Sequence, residues 1–417
     1  MTSLQESHSQ RDLMRVLAAM GFSVIPLGYT LVVLPIYLNE IGFSEGTIGA
    51  ITSISAITNT FALVPCALAA DRYGRKFFAV GGFLCAALSY LLFASTTDLN
   101  ILLLASAIGG VGIAGGFSSA LWVPVSTALV ADKTSPGNRA KAFAWTQGVW
   151  TLSNSAGSAL SVIPAIFRGT FQISYLKSFQ YAFLILAALA ILSSIILLPL
   201  RETRADHAAP KTRTQRRFPQ SIRQIAKFSI TTGLLGFAQG VSLQLLSLWF
   251  KKTYAVNEAA VGPWFAAAQL TAIIAVPIIP KLAESWGSAL SVLTMEGLGA
   301  VVLGSMVLAP TYQAAGMIFV GRNIFMNISW SLQQSYLMGT VPAEERASAF
   351  AISLTTLGIG RSISPMLAGY FLSGSGFLSI SAPLLIGAAV YLTSAITFFL
   401  LFRGISPREE IHAIKSK

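Results

Sequence analysis

Apolar stretches of about twenty residues, separated by short polar breaks, recur along the whole chain. A run of that length, folded as an α-helix, crosses a hydrocarbon core about 30 Å thick. The pattern predicts spans over residues 14–38, 46–68, 77–97, 99–122, 141–164, 178–200, 224–250, 259–280, 288–309, 311–338, 347–372 and 382–402. Twelve such helices leave no soluble domain of useful size, so the expected fold class is an all-α membrane protein. The first run, Leu13 to Leu38, is too long for a signal-peptide core and lacks a small-residue cleavage site, so it is expected to remain as a span.

Composition agrees: 54% of the 417 residues are hydrophobic and 11% charged, against about 25% charged in soluble domains. The net charge of +12 would suit nucleic acid, but the placement of the basic residues gives it another meaning. With an even number of spans, one side collects Arg11, Arg15, Arg72, Arg75, Lys76, Lys133, Arg139, Lys141, Lys281 and Arg346, together with the 201–227 loop and the C-terminal tail. The other side holds Arg168, Lys177, Lys251 and Lys252. The positive-inside rule then puts both termini in the cytoplasm of a plasma or inner membrane and removes the reason to expect a nucleic-acid partner. Cys66 and Cys85 lie in apolar sequence, where a thiol packs; no disulfide, metal or cofactor is expected.

A basic, proline-punctuated segment, Arg201 to Lys227 with Pro210 and Pro219, reads as a cytoplasmic linker. It divides the chain into a first bundle (1–200), a linker (201–223) and a second bundle (224–417), six spans in each bundle. The halves repeat: a shift of 213 aligns Glu45 with Glu258, Gly49 with Gly262, Asp71 with Glu284 and Gly74 with Gly287. A shift of 207 aligns Arg139 with Arg346 and Ala142-Phe143-Ala144 with Ala349-Phe350-Ala351. Duplicated six-span halves are a signature of carriers that expose a midplane site alternately to each side.

Between spans two and three, Ala67-Leu68-Ala69-Ala70-Asp71-Arg72-Tyr73-Gly74-Arg75-Lys76 closely resembles the signature loop of the major facilitator superfamily. The resemblance extends through Asp132-Lys133 to Arg139-Ala140 and to Pro342 through Arg346, and covers the chain. It implies that fold, a small-molecule solute and a cytoplasmic gate formed by Asp71, Arg72 and Arg75, with Glu284 as the repeat mate of Asp71. A carboxylate and a guanidinium at a helix end can pair and separate as the halves rock, which fits that role; the basic side chains also enforce topology. Three departures matter: Ala67 stands where the family has glycine, no arginine occurs in Ser106 to Gly112, and the antiporter motif of span five survives as Gly148 and Gly157, echoed by Gly360 to Gly369 in span eleven.

Ionisable residues inside spans are expensive and mark function. Three qualify: Glu296, Arg322 and Arg361, an inventory of +2 − 1 = +1. In span ten Asn323, Asn327, Trp330 and Gln334 recur at i, i+4, i+7 and i+11, a polar helical face that must look into protein or a wet cavity. The resemblance places span ten, with spans one, four and seven, around the central cavity. Further solute-contact candidates are Tyr29, Trp122, Gln147, Trp150, Asn154, Gln239 and Gln244, each of which could instead bond across helices. Arg322 and Arg361 either meet a solute or pair internally, and Glu296 or Asp71 is the expected proton carrier if transport is proton-coupled.

Other motifs are discounted. Gly110-Val111-Gly112-Ile113-Ala114-Gly115 fits a dinucleotide fingerprint but follows no strand, so close helix packing is expected there, as at Gly236 and Gly240. No zinc, nucleophile-elbow or P-loop motif occurs, which argues against an enzyme. The expectation is a monomeric secondary transporter in the lipid bilayer, either a proton-coupled exporter of amphipathic solutes or an organic-anion carrier using the arginines. A non-transporting receptor is the reading from another class.

Overall fold

A computed structural model describes residues 3–109, 111–112, 115–134, 138–200, 221–275, 277–342 and 345–404. Among these residues the structure is helical, without strands. The helices of the first half are α1 (Ser3–Glu40), α2 (Glu45–Tyr73), α3 (Arg75–Ser95), α4 (Leu99–Ile108), α5 (Gly116–Asp132), α6 (Arg139–Ala159), α7 (Ile163–Phe171) and α8 (Tyr175–Leu197). Those of the second are α9 (Ile222–Leu243), α10 (Leu246–Tyr254), α11 (Glu258–Ala275), α12 (Ile278–Trp286), α13 (Ser288–Ser305), α14 (Tyr312–Thr340), α15 (Arg346–Leu372) and α16 (Phe377–Phe402). Most of the expected linker (201–220), the tail with His412, and Gly110, Ile113 and Ala114 lie outside the described residues.

The starts of several helices are written locally. Ser44 accepts from the Thr47 amide, Asp98 from those of Asn100 and Ile101, and Thr311 from that of Ala314, satisfying amides that the first helical turn leaves without a partner. Eight stretches among the described residues are long and apolar enough to cross a membrane. Of the helices that fall short, α4 and α5 are too short, with 10 and 17 residues, whereas α14, with 29 residues, carries the polar side chains of Arg322, Asn323, Asn327, Gln333 and Gln334. Phe77, Leu308 and Leu378 are each about three-quarters exposed (74%, 77% and 75%), a surface suited to lipid.

Several expected spans are not continuous helices. The fourth divides into α4 and α5, and the glycine run there ends a helix as well as packing closely: Gly112, Gly115 and Gly116 have φ of 63°, 75° and 61°. Only glycine adopts that backbone freely. Span five, expected to end at 164, continues through a 3₁₀ turn at Leu160–Val162 into α7 and ends at Phe171. Spans seven and eight are each two helices, α9 with α10 and α11 with α12.

The chain forms two compact units, residues 1–210 with 256–266, and 211–255 with 267–417. Within the first, α1 and α6 cross so closely that a Cβ on Gly157 would lie 2.0 Å from the Ile25 carbonyl oxygen, and one on Gly28 2.0 Å from that of Asn154. Within the second, α9 and α15 do the same: a Cβ on Gly236 would lie 2.1 Å from the Leu357 oxygen, and one on Gly360 2.4 Å from that of Gly233. Small residues permit such approach where lipid supplies no hydrophobic drive between helices. The first unit's core gathers Phe83, Trp122, Val125 and Leu129; the second's gathers Phe228, Tyr336, Phe398 and Phe402.

Candidate functional site

Helix α14 carries two polar stripes. Arg322, Ser329 and Gln333 are buried, whereas Asn323, Asn327, Trp330 and Gln334 are half-exposed. The two sets share the i, i+7, i+11 spacing and differ by one residue, about 100° around the helix. The sequence pattern singled out the half-exposed stripe.

On the half-exposed stripe, the Asn323 amide donates to the Phe319 carbonyl (2.8 Å) and that of Asn327 to the Thr271 hydroxyl of α11 (3.0 Å). Both amide atoms of Gln334 are buried without a hydrogen-bond partner, which marks them as able to bind another polar group at low cost. The buried stripe meets α13. There Glu296, fully buried, accepts at Oε2 from Ser329 (3.2 Å) and Gln333 (2.5 Å). Arg322 lies over the ring of Tyr391, its Cζ 4.8 Å from the centroid.

Arg361 of α15 donates through Nε (2.7 Å) and Nη2 to the Gln239 side-chain oxygen of α9, so this guanidinium is held by a neutral amide. Gln244 is buried in the break between α9 and α10. In the first unit Tyr29 is buried edge-on against Phe183 at 6.2 Å, and Trp122 packs between Phe83 and Trp150 at 5.4 and 5.9 Å. Asn154 faces Gly28 and Gln147 is exposed. The second-unit candidates therefore lie on α9, α14 and α15 and in the break after α9, whereas in the first unit Tyr29, Trp122 and Trp150 take packing positions and Gln147 is exposed.

At the end of α2, Arg75 donates to Asp71 through Nε (2.9 Å) and Nη2 (2.8 Å), and through Nη1 to Asp132 at the end of α5. Arg72 lies over the Tyr73 ring at 5.4 Å. Glu284 is exposed and makes no ion pair among the described residues. The repeat is visible in backbone geometry, since Gly74 and Gly287 both have positive φ, 113° and 71°, where one helix ends and the next begins. Asp132 is a partner that sequence reading missed, because 57 residues separate it from Arg75.

A second missed cluster lies in the first unit. Glu258, fully buried, pairs with Arg168 at 2.6 Å, and the Arg168 guanidinium sits 4.3 Å from the Tyr175 ring centroid. The one signal in the sequence was the repeat match of Glu258 to Glu45.

Buried polar stripes on otherwise apolar helices are the arrangement of a helical membrane protein whose polar groups look inward. The profile described as Major Facilitator Superfamily matches residues 13–325, and the chain belongs to that family. It is 22% identical over 384 residues to the quinolone resistance protein NorA of Staphylococcus aureus strain MRSA252, covering 89% of this chain and 91% of the relative. It is 27% identical over 188 residues to multidrug resistance protein 1 of Bacillus subtilis strain 168, covering 45% of this chain and 44% of the relative. The solved nucleoside transporter NupG has the same fold, with a TM-score of 0.75 at 16% identity over 94% of this chain and 99% of that one.

Proposed function

We propose that this transporter exports amphipathic organic solutes by alternating access, and that the half-exposed stripe of α14 forms part of its solute face. The observation that carries this reading is the chemistry of that stripe. Asn323, Asn327, Trp330 and Gln334 are neutral, while both intramembrane arginines are turned to internal partners, Arg322 to Tyr391 and Arg361 to Gln239. A face of amides and an indole suits a flat, partly polar organic compound better than an isolated carboxylate or phosphate. The resistance names of relatives matched over most or nearly half of the chain support the same class. Both termini in the cytoplasm, a single chain as the working unit, and exchange for protons complete the proposal. Of the two carboxyls considered as proton carriers, Asp71 is held by Arg75, and Glu296 is fully buried.

Binding of a matched organic acid and its neutral amide, measured on the purified protein, separates this reading from an organic-anion carrier. The amide is expected to bind at least as tightly as the acid, and Arg361→Gln and Arg322→Gln should change both affinities alike. A loss confined to the acid would transfer the assignment to the anion carrier.

The Arg75 cluster supports a gating role for Asp71 and Arg75. Neutralising the acid removes one of two partners of a charge-assisted pair, worth about 1–3 kcal/mol, which is about fivefold or more in a two-state population. Asp71→Asn should therefore shift the inward-open to outward-open ratio by about that factor, read as distances between spin labels in the two halves. An unchanged distance distribution in a folded variant would remove the gate.

A further inference from the structure

Where the end of α8 lies against the early turns of α1, an open groove of about 670 Å³ is lined by Gln10, Arg11, Met14, Arg15, Ala18 and Ile196. The first five follow one face of α1, since residues three and four apart are neighbours on a helix. The other face is spoken for: Val16, Ala19 and Met20 are buried in the core of the first unit. On the groove face Met14 is 66% exposed, and Arg11 is exposed and makes no ion pair among the described residues. Arg15 donates through Nη1 to one carboxylate oxygen of Asp12 (3.1 Å), using one of its several N–H donors, and the Lys133 ammonium donates to the other oxygen (3.0 Å). Three cations against one carboxylate leave two positive charges at the groove, and no acidic side chain lines it among the described residues.

From Ile196 an apolar track runs back along α8. Leu192, Ala188 and Leu184 precede it at four-residue intervals, all of them exposed, over a rise of about 18 Å. That is close to the hydrocarbon depth of one leaflet, half of about 30 Å. We infer that this groove binds one anionic phospholipid, its phosphate on Arg11 and Arg15 and an acyl chain along the α8 track. A guanidinium takes two oxygens of one phosphate with parallel hydrogen bonds, and basic side chains at a membrane surface draw anionic headgroups. Free phosphate would use the cations and leave Met14, Ala18 and the α8 track uncovered. A zwitterionic lipid would use the track but bring an ammonium to a groove where Asp12, 9% exposed, already serves Arg15 and Lys133. The site depends neither on the solute carried nor on the direction of transport.

Native mass spectrometry of the delipidated full chain in detergent, titrated with phosphatidylglycerol or with phosphatidylcholine of the same acyl chains, tests the site. The first phosphatidylglycerol should bind about tenfold or more tightly than phosphatidylcholine, and Arg11→Gln combined with Arg15→Gln should remove that preference, at about fivefold per charge. Arg223→Gln combined with Lys281→Gln, the same change of charge at exposed positions of the second unit, should keep it. Equal binding of the two lipids, or an equal loss in both double variants, would overturn the inference. Inorganic phosphate should not displace the bound lipid; displacement would make the groove a phosphate site and overturn the lipid assignment. Met14→Gln combined with Ile196→Gln leaves every charge in place and should weaken phosphatidylglycerol by about fivefold or more, whereas unchanged affinity overturns the acyl track. Should the arginine double variant fail to fold, Arg11→Gln alone serves: it must lose about fivefold in phosphatidylglycerol affinity, and an undiminished affinity overturns the site.

Discussion

Gly236→Leu yields no folded protein, and Gly157→Leu is equally damaging. At both positions the obstacle to a side chain is main chain: the Leu357 carbonyl oxygen at 2.1 Å and the Ile25 carbonyl oxygen at 2.0 Å from the added Cβ. Overpacking costs about 1–3 kcal/mol where neighbouring side chains can move aside. Here two helices must separate along their crossing, and the loss should exceed that range. Gly148 and Gly321 lie on helices of the same two units, α6 and α14, and have no atom within 4 Å of an added Cβ. Gly148→Leu and Gly321→Leu should elute as wild type in size-exclusion chromatography from detergent. Equal yields from all four variants would show that the crossings tolerate separation.

The second large effect falls on affinity. Trp330→Ala combined with Asn327→Ala should weaken ethidium binding by tenfold or more, about 1.4 kcal/mol per tenfold, with little loss of thermal stability because both positions are half-exposed. Gln333→Leu, one residue around the helix from the solute stripe, should do the reverse. It removes the 2.5 Å donor of the fully buried Glu296 and leaves Ser329 at 3.2 Å, and a lost hydrogen bond costs about 0.5–1.5 kcal/mol. Melting temperatures and ethidium titrations on the same preparations separate the two outcomes. If the double variant binds as wild type does, the half-exposed stripe is not the solute face.

Much of this was legible in the chain because it is local. Apolar runs gave the helices, the 3.6-residue period gave the polar stripe of α14, and a shift of 213 residues paired Gly74 with Gly287, both of which adopt positive φ. The division of α14 into buried and half-exposed stripes was harder to read, since adjacent positions such as Arg322 and Asn323 differ only in which neighbour they meet. The glycine run near residue 112 shows another limit: glycine permits close helix packing and a left-handed turn alike, and the same letters served both. Charge partners were the least legible. Arg75 with Asp132, Arg168 with Glu258, and Arg361 with Gln239 are separated by 57, 90 and 122 residues, and nothing in a helical period encodes them.

Flux in proteoliposomes bears most directly on the central claim that this chain exports amphipathic solutes through the α14 stripe. With the vesicle interior made acidic, DNA trapped inside reports ethidium entry by fluorescence. The wild type should accumulate ethidium in exchange for protons, a protonophore should abolish the accumulation, and the Trp330→Ala, Asn327→Ala double variant should slow it about tenfold. Entry no faster than into protein-free vesicles, or equally fast with the double variant, would contradict the account.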